Sequence, residues 1–216
     1  LARPGQRHLV TTTIEHSAVL GAARDLQEHF GARVTYVPVG EAGIVDPAAV
    51  VAAIQADTFL VSVMLANNEI GTIQPVAEIA RLARARGVLI HTDAVQAAGW
   101  LDLNVDRLGV DLLSLSAHKF YAPKGVGVLY VRRGTPLVPL IHGGDQEGWR
   151  RAGTENVAGI VGCGAALGLV EQHRPATSAR LTALRDRLIE GIEASVPGAV
   201  LNGDRWRRLP GSANFC

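Results

Sequence analysis

The chain lacks the features that mark several large protein classes. Only 2 of its 216 residues are cysteine, Cys163 and Cys216. Two isolated thiols make no disulfide framework and fit a reducing, cytoplasmic setting. A formal net charge of +1 gives no global field to draw in nucleic acid. The single compact basic cluster, Arg205, Arg207 and Arg208, is interrupted by Trp206 and reads as a solvated turn. Long hydrophobic runs are missing. The longest, VAGIVGCGAALGLV at 157–170, is too short and glycine-rich to span a bilayer and reads as a buried helix. No signal-peptide pattern opens the chain. Its 7 histidines never fall at His-x-x-x-His spacing, and Cys-x-x-Cys is absent, so no metal site is expected. A Gly-x-Ser-x-Gly nucleophile elbow and a phosphate-binding Gly-x-x-x-x-Gly-Lys-Ser/Thr loop are absent as well. There is no internal repeat, linker or low-complexity segment.

What is present is an apolar share of 48% with 5% aromatics, the composition of an Ala/Val/Leu-rich α/β protein. Short β-rich runs alternate with longer helical ones. Strands are predicted at 8–12, 33–39, 58–66, 88–94, 111–116 and 125–131. Helices are predicted at 17–30 (closed by Gly31), from the Asp46-Pro47 cap to about 56, and at 75–86 (closed by Gly87). Two more follow, at roughly 155–171 and 176–195. This alternation predicts an α/β fold with a mostly parallel sheet flanked by helices.

In such sheets ligands sit beyond the carboxyl ends of the strands. The residues just past those ends are His16, then Asn67-Asn68-Glu69, then Asp93 to Gln96, then Ser116-Ala117-His118-Lys119. All four exits should open on one rim. Lys119 lies in SLSAHKFYAPKGVGVLYV, on a turn between two strands. A solvated loop lysine is the plain reading of that turn, and the convergence of polar exits weighs against it. A lysine that forms a Schiff base can hold an aldehyde cofactor covalently, and pyridoxal phosphate needs that lysine and a carboxylate facing its ring nitrogen. Asp93 suits the carboxylate role, although it is also a natural helix N-cap, and the two roles can be shared. His16 could stack on the cofactor ring and move protons, whereas a lone histidine is more often structural. Gln96 and Asn68 could approach the ring hydroxyl, but an Asn-Asn pair is also a turn signal. Ser116 and His118 could hold phosphate oxygens. Gly125 and Gly127 have a structural reading, close backbone packing at the next strand.

Five stretches occur in order: IEHSAV, ANNEIGTIQP, HTDAVQAAG, SLSAHKFYAPKGVGVLYVRRG and HGGDQEGWRRAGTEN. Together they resemble the cysteine desulfurases of the bacterial iron–sulfur-assembly type, within the class V aminotransferase superfamily. The resemblance implies that Lys119 forms the Schiff base with pyridoxal phosphate and that Asp93 faces its ring nitrogen. It implies Gln96 and Asn68 near the ring hydroxyl, His16 stacked on the ring, and Ser116 and His118 on the phosphate. Thr154 resembles the threonine that reaches the phosphate across a dimer interface, so a homodimer is implied. Lys119 and His16 would be the catalytic pair. L-cysteine would be converted to L-alanine, and its sulfur would pass to an enzyme cysteine as a persulfide and on to a scaffold or acceptor protein. The resemblance also divides the chain into a cofactor-binding large domain at 1–150 and a segment at 151–216. The latter would hold connecting helices and the start of a smaller C-terminal α+β domain.

Leu1 is not an initiator methionine, Met64 is the only methionine, and SANFC ends within an expected strand. An internal piece of a longer protein is therefore expected. The family's persulfide-forming cysteine lies in a Gly-Ser-Ala-Cys-like loop, to which Cys216 does not correspond. Its N-terminal phosphate-binding segment and carboxylate-holding arginine are not matched either, so this piece is not expected to turn over cysteine alone. The alternatives are another class V enzyme, such as a selenocysteine lyase or an aminotransferase, and a non-catalytic remnant of the fold.

Overall fold

The computed structural model describes residues 5–216. Its strands are β1 (His8–Thr12), β2 (Arg33–Val37), β3 (Thr58–Ser62), β4 (Leu89–Asp93), β5 (Leu112–Ser116) and β6 (Gly127–Val131). The helices are α1 (Ser17–Phe30), α2 (Pro47–Ala52), α3 (Val76–Ala85), α4 (Val105–Leu108), α5 (Gln146–Trp149) and α6 (Val157–Ser195), with a 3₁₀ turn at Ala117–Phe120. The sheet order is β2-β1-β3-β4-β5-β6. All neighbours are parallel except β6, which runs antiparallel to β5. The chain moves from β1 outward to β2 and then returns to β1's other side with β3. That reversal puts a topological switch point at the carboxyl ends of β1 and β3.

Local chemistry explains most boundaries. Asp46 caps α2 by accepting the Ala48 N–H at 2.8 Å, with Pro47 in the first helical position. α2 stops at Ala52, short of the expected 56. The Thr58 hydroxyl oxygen accepts the Gln55 N–H at 2.7 Å and draws 53–58 into a turn. Gly31 closes α1 with φ 64°, in the left-handed region that glycine adopts without strain. The expected strand at 58–66 is assigned only to Ser62. Its line nevertheless continues, because the Val63 and Leu65 N–H groups donate to the His91 and Asp93 carbonyls.

The two helices expected around Pro175 form one, α6, with the proline inside it. Proline removes a single helical hydrogen bond, which bends a helix more readily than it ends one. The Glu171–Arg174 ion pair spans the same turn at 2.7 Å. Arg208 corrects the reading of the basic cluster as a solvated turn. It is 3% exposed, and its guanidinium donates to the carbonyls of Asp204 (2.8 Å) and Asn202. Five fixed donors let an arginine be buried among backbone carbonyls without a carboxylate partner. Arg205 does stay outside, paired with Glu193 at 2.6 Å. Arg208 fastens 196–216 to the 67–74 loop, where the Leu209 N–H donates to the Gly71 carbonyl at 2.9 Å. Gly71 has φ 74°, and a Cβ there would overlap Ser212. In place of the strand expected at SANFC there is a single bridge between Leu201 and Phe215.

The main core lies on one face of the sheet. Val10, Val61, Ile90 and Leu113 pack there with Val50 of α2, Ile79 of α3 and Cys163 of α6. Along the opposite face, α1 lies over Leu9 and Leu60, and the space beside it is the cavity described next.

Candidate functional site

β4 reads Leu-Ile-His-Thr-Asp, and a strand sends successive side chains to opposite faces. Ile90 and Thr92 are fully buried in the core. Leu89, His91 and Asp93 alternate with them, and His91 and Asp93 line a cavity. β5 repeats the pattern. Leu113 and Leu115 are buried, whereas Leu112, Ser114 and Ser116 face the cavity. The cavity has a volume of about 850 Å3 and also takes in the exits of β1 and β3. That is room for a cofactor-sized ligand.

Seven of the eight sequence-predicted residues meet on its wall: His16, Asn68, Asp93, Gln96, Ser116, His118 and Lys119. His16 is the N-cap of α1, its Nδ1 accepting the Ala18 N–H at 3.1 Å. Its ring is therefore exposed at a fixed helix end. The Asn67-Asn68 pair divides its roles. Asn67 is buried, donates to the Ile14 carbonyl at 2.9 Å and accepts from the Glu69 and Ile70 N–H groups. That leaves Asn68 exposed toward the cavity. Asp93 also combines two readings. Its Oδ1 accepts the Val95 N–H at 2.9 Å, as a cap would, while its other carboxylate oxygen makes no hydrogen bond among the described residues. The segment that follows is a series of turns, with no regular helix.

Ser116 Oγ and His118 Nδ1 are 2.9 Å apart. Lys119 sits in the 3₁₀ turn between Ala117 and Phe120, which are 0% and 1% exposed. The core thus grips the turn on both sides of an exposed lysine. Tyr121 closes it in the left-handed region, with φ 68° and its N–H bonded to the Ala117 carbonyl. The chain has only two lysines, Lys119 and Lys124, and of these Lys119 alone lines the cavity. Thr154 does not join this group. It is exposed, in the segment between α5 and α6.

Sequence reasoning missed two other features. Glu15 is 5% exposed. Its Oε1 accepts from the Thr12 hydroxyl at 2.6 Å and the Met64 N–H at 2.9 Å, while Oε2 has no partner among the described residues. Burial pushes its pKa up to about 7, and the nearby Asp93 charge adds to the rise. His91 bridges Ser62 Oγ, 2.8 Å from Nδ1, and Ser114 Oγ, 2.9 Å from Nε2. Burial holds its pKa below the usual histidine value, against the opposite pull of Asp93. The sequence signal for His91 was its spacing of two from Asp93 on an alternating strand. For Glu15 it was only adjacency to His16.

The donor set fits pyridoxal phosphate: an amine on a rigid turn, a carboxylate with one oxygen uncommitted, two amides, and a hydroxyl–imidazole pair. Neither cysteine lines the cavity. Cys163 is buried in the core, and Cys216 is exposed with Sγ 3.4 Å from Asn202 Oδ1. Among the described residues, no group of three or more His, Cys, Asp or Glu side chains is placed to hold a metal ion. No helix among them is long and apolar enough to cross a membrane.

Residues 3–216 match the family model described as aminotransferase class-V. A cysteine desulfurase IscS of Dictyoglomus turgidum is 51% identical over 209 residues, covering 97% of this chain and 53% of the relative. One from Methanosarcina thermophila is 49% identical over 208 residues, covering 96% and 51%. Among solved structures, a NifS-like protein superposes with a TM-score of 0.91 at 41% identity, covering 96% of this chain and 57% of its own. DndA from Streptomyces lividans gives 0.87 at 37% identity, covering 95% and 58%. The chain spans about half the length of the curated relatives it matches.

Proposed function

The chain belongs to the aminotransferase class-V family, and from that premise we propose that it forms the cofactor pocket of a pyridoxal-phosphate-dependent cysteine desulfurase. The observation that carries this reading is one cavity bounded by Lys119, Asp93 and His16 at the exits of different strands. Relatives named cysteine desulfurase, about half identical along the chain, support the choice of reaction.

Pyridoxal phosphate, when bound, supplies an aldehyde carbon for an amine and a ring that accepts electrons. Lys119 would hold that carbon, and its Nζ amine, when free, would carry protons. Its anchored turn keeps Nζ within reach throughout. Asp93, through its uncommitted oxygen, would keep a proton on the ring nitrogen. Gln96 and Asn68 direct amide groups toward the ring hydroxyl. His16, fixed at the start of α1, would cover the ring and exchange protons through its imidazole. Ser116 and His118 hold phosphate oxygens, and the hydrogen bond between them fixes both.

In the overall reaction L-cysteine and an enzyme thiol give L-alanine and an enzyme persulfide, whose sulfur then passes to an acceptor protein. Neither cysteine of the chain lines the cavity, and we assign that thiol to a part of the intact protein outside this chain. Thr154 would serve the phosphate of a second subunit. Its exposure supports a homodimer, as do the exposed apolar residues Trp149, Val157, Ile160 and Val161 around it. We assign residues 1–150 to a cofactor-binding large domain and 151–216 to a segment leading into a smaller domain. A cytoplasmic setting is supported by the two free cysteines.

Borohydride reduction of the intact protein, followed by peptide mass mapping, tests the reading. The adduct is expected on Lys119 and should vanish in Lys119→Ala. With two lysines in the chain, an adduct on Lys124 would overturn the assignment.

A further inference from the structure

The proposed chemistry uses Asp93 but leaves unexplained the imidazole two residues before it. His91 and Asp93 leave β4 on the same face and line the same cavity. The three groups that meet at His91 come from adjacent strands. Ser62 is its register partner on β3, and Ser114 is the register partner of Asp93 on β5. Both ring nitrogens are occupied, at 2.8 Å by the Ser62 hydroxyl and at 2.9 Å by the Ser114 hydroxyl. The result is a hydrogen-bonded crosspiece from β3 to β5 that ends beside Asp93.

A neutral imidazole has one donor and one acceptor, and a hydroxyl can take either role. Both serines are therefore satisfied with no charge on His91. Beside His91 the lining is apolar, with Leu60 on β3, Leu112 on β5, and Ala22 and Leu26 of α1, whereas His16, His118 and Lys119 line the cavity at the strand exits and Glu15 lies near Asp93. No cation faces Asp93 from the apolar positions, and the protein packed around His91 disfavours an imidazolium there. A carboxylate beside an uncharged neighbour attracts a proton on an opposing ring nitrogen more strongly than one beside an imidazolium.

We propose that His91, bonded through both ring nitrogens to Ser62 and Ser114, is a positioning residue that acts through Asp93. It places a fixed, uncharged neighbour beside the carboxylate in place of an imidazolium, which leaves the carboxylate's charge to hold the proton on the cofactor's ring nitrogen. This inference rests on the reading of the cavity as a pyridoxal phosphate site.

The test uses the intact protein loaded with pyridoxal phosphate, reading the cofactor dissociation constant and the pH dependence of its visible absorbance. His91→Leu keeps the bulk and removes both hydrogen bonds. It should weaken cofactor retention about tenfold, the scale of one or two lost hydrogen bonds, and displace the absorbance titration. His91→Gln, which can still bridge one serine, should recover most of both. In an Asp93→Asn background the same His91→Leu change should alter retention less than about twofold, because the residue through which it acts is gone. Ser114→Ala provides the same cycle with a smaller perturbation if His91→Leu fails to fold. Wild-type values in His91→Leu, or an equal loss in both backgrounds, would overturn the inference and leave the cofactor assignment standing. A wild-type protein that takes up no pyridoxal phosphate would overturn both.

Discussion

Ile90 and Thr92 turn to one face of the sheet, His91 and Asp93 to the other, and on β5 Leu113 and Leu115 oppose Ser114 and Ser116. On the first face everything is closed. Ile90 and Thr92 are 0% exposed, and the Thr92 hydroxyl donates to the Val63 carbonyl at 2.8 Å. On the second face, groups are held in place with bonding capacity left over: one Asp93 oxygen, the Asn68 amide and the Lys119 amine. A buried group with unused bonding capacity costs stability, and these groups avoid that cost by facing an open cavity. The first face stabilises the fold, and the second is rigid only because its backbone belongs to the first.

Neighbouring substitutions on β4 should separate the two faces most sharply. Asp93→Asn should lower the proposed desulfurase activity of the intact protein by roughly two to three orders of magnitude, the scale expected when one partner of a charge pair is removed. Its melting temperature should barely move, and some cofactor should remain. Near-normal turnover would reject the proposed role of Asp93. Ile90→Ala, three residues earlier on the closed face, should lose about 2–5 kcal/mol of stability with little change in turnover wherever it remains folded.

Phe120 is the residue through which one face should affect the other. It is 1% exposed in the core and directly follows Lys119. Phe120→Ala should cost about 3–5 kcal/mol through the cavity it leaves. Unlike Ile90→Ala, it should also slow cofactor attachment to Lys119 in the fraction that stays folded, measured as the rate at which absorbance develops after pyridoxal phosphate is added. Unchanged attachment would show that the turn is held by its backbone bonds alone.

How much of this was legible in the sequence follows from how local each signal is. Strand periodicity, Gly31 and the Asp46-Pro47 cap act within a few residues, so the order of elements could be read directly. The rim was legible because parallel strands put their carboxyl ends on one edge, which carried His16, Asn68, Asp93 and Lys119 to the same cavity without knowledge of register. The His91 crosspiece could not be read this way. Its partners lie 29 and 23 residues away and meet only through the register of three strands. Arg208 was misread because its carbonyl partners include Ile70, 138 residues distant. The break expected between 155–171 and 176–195 does not form, because α6 carries Pro175 within it at the loss of a single helical hydrogen bond.

Glu15 shows the smallest of these effects and the one most specific to the meeting of the two faces. Its carboxyl is closed in like a core group but lies at the switch point, between Thr12 of β1 and Met64 beyond β3. Burial raises its pKa from an ordinary 4.5 to about 7. In the unfolded chain the group ionises near its ordinary value, so between these limits the native state binds more protons. Glu15 therefore contributes fully below about pH 4.5, and that contribution is lost as pH rises toward about 7, by on the order of 3 kcal/mol. His8 and His91, whose pKa values burial lowers, act in the opposite sense, losing stability as pH falls below 6.5. A single stability–pH curve would blend these slopes, whereas the difference between wild type and Glu15→Gln isolates one. Glutamine keeps an acceptor for Thr12 and Met64 and cannot ionise. Urea unfolding from pH 5 to pH 7.5 should show the variant gaining on wild type steadily as pH rises, and parallel curves would mean that Glu15 is already ionised in the native protein at pH 5.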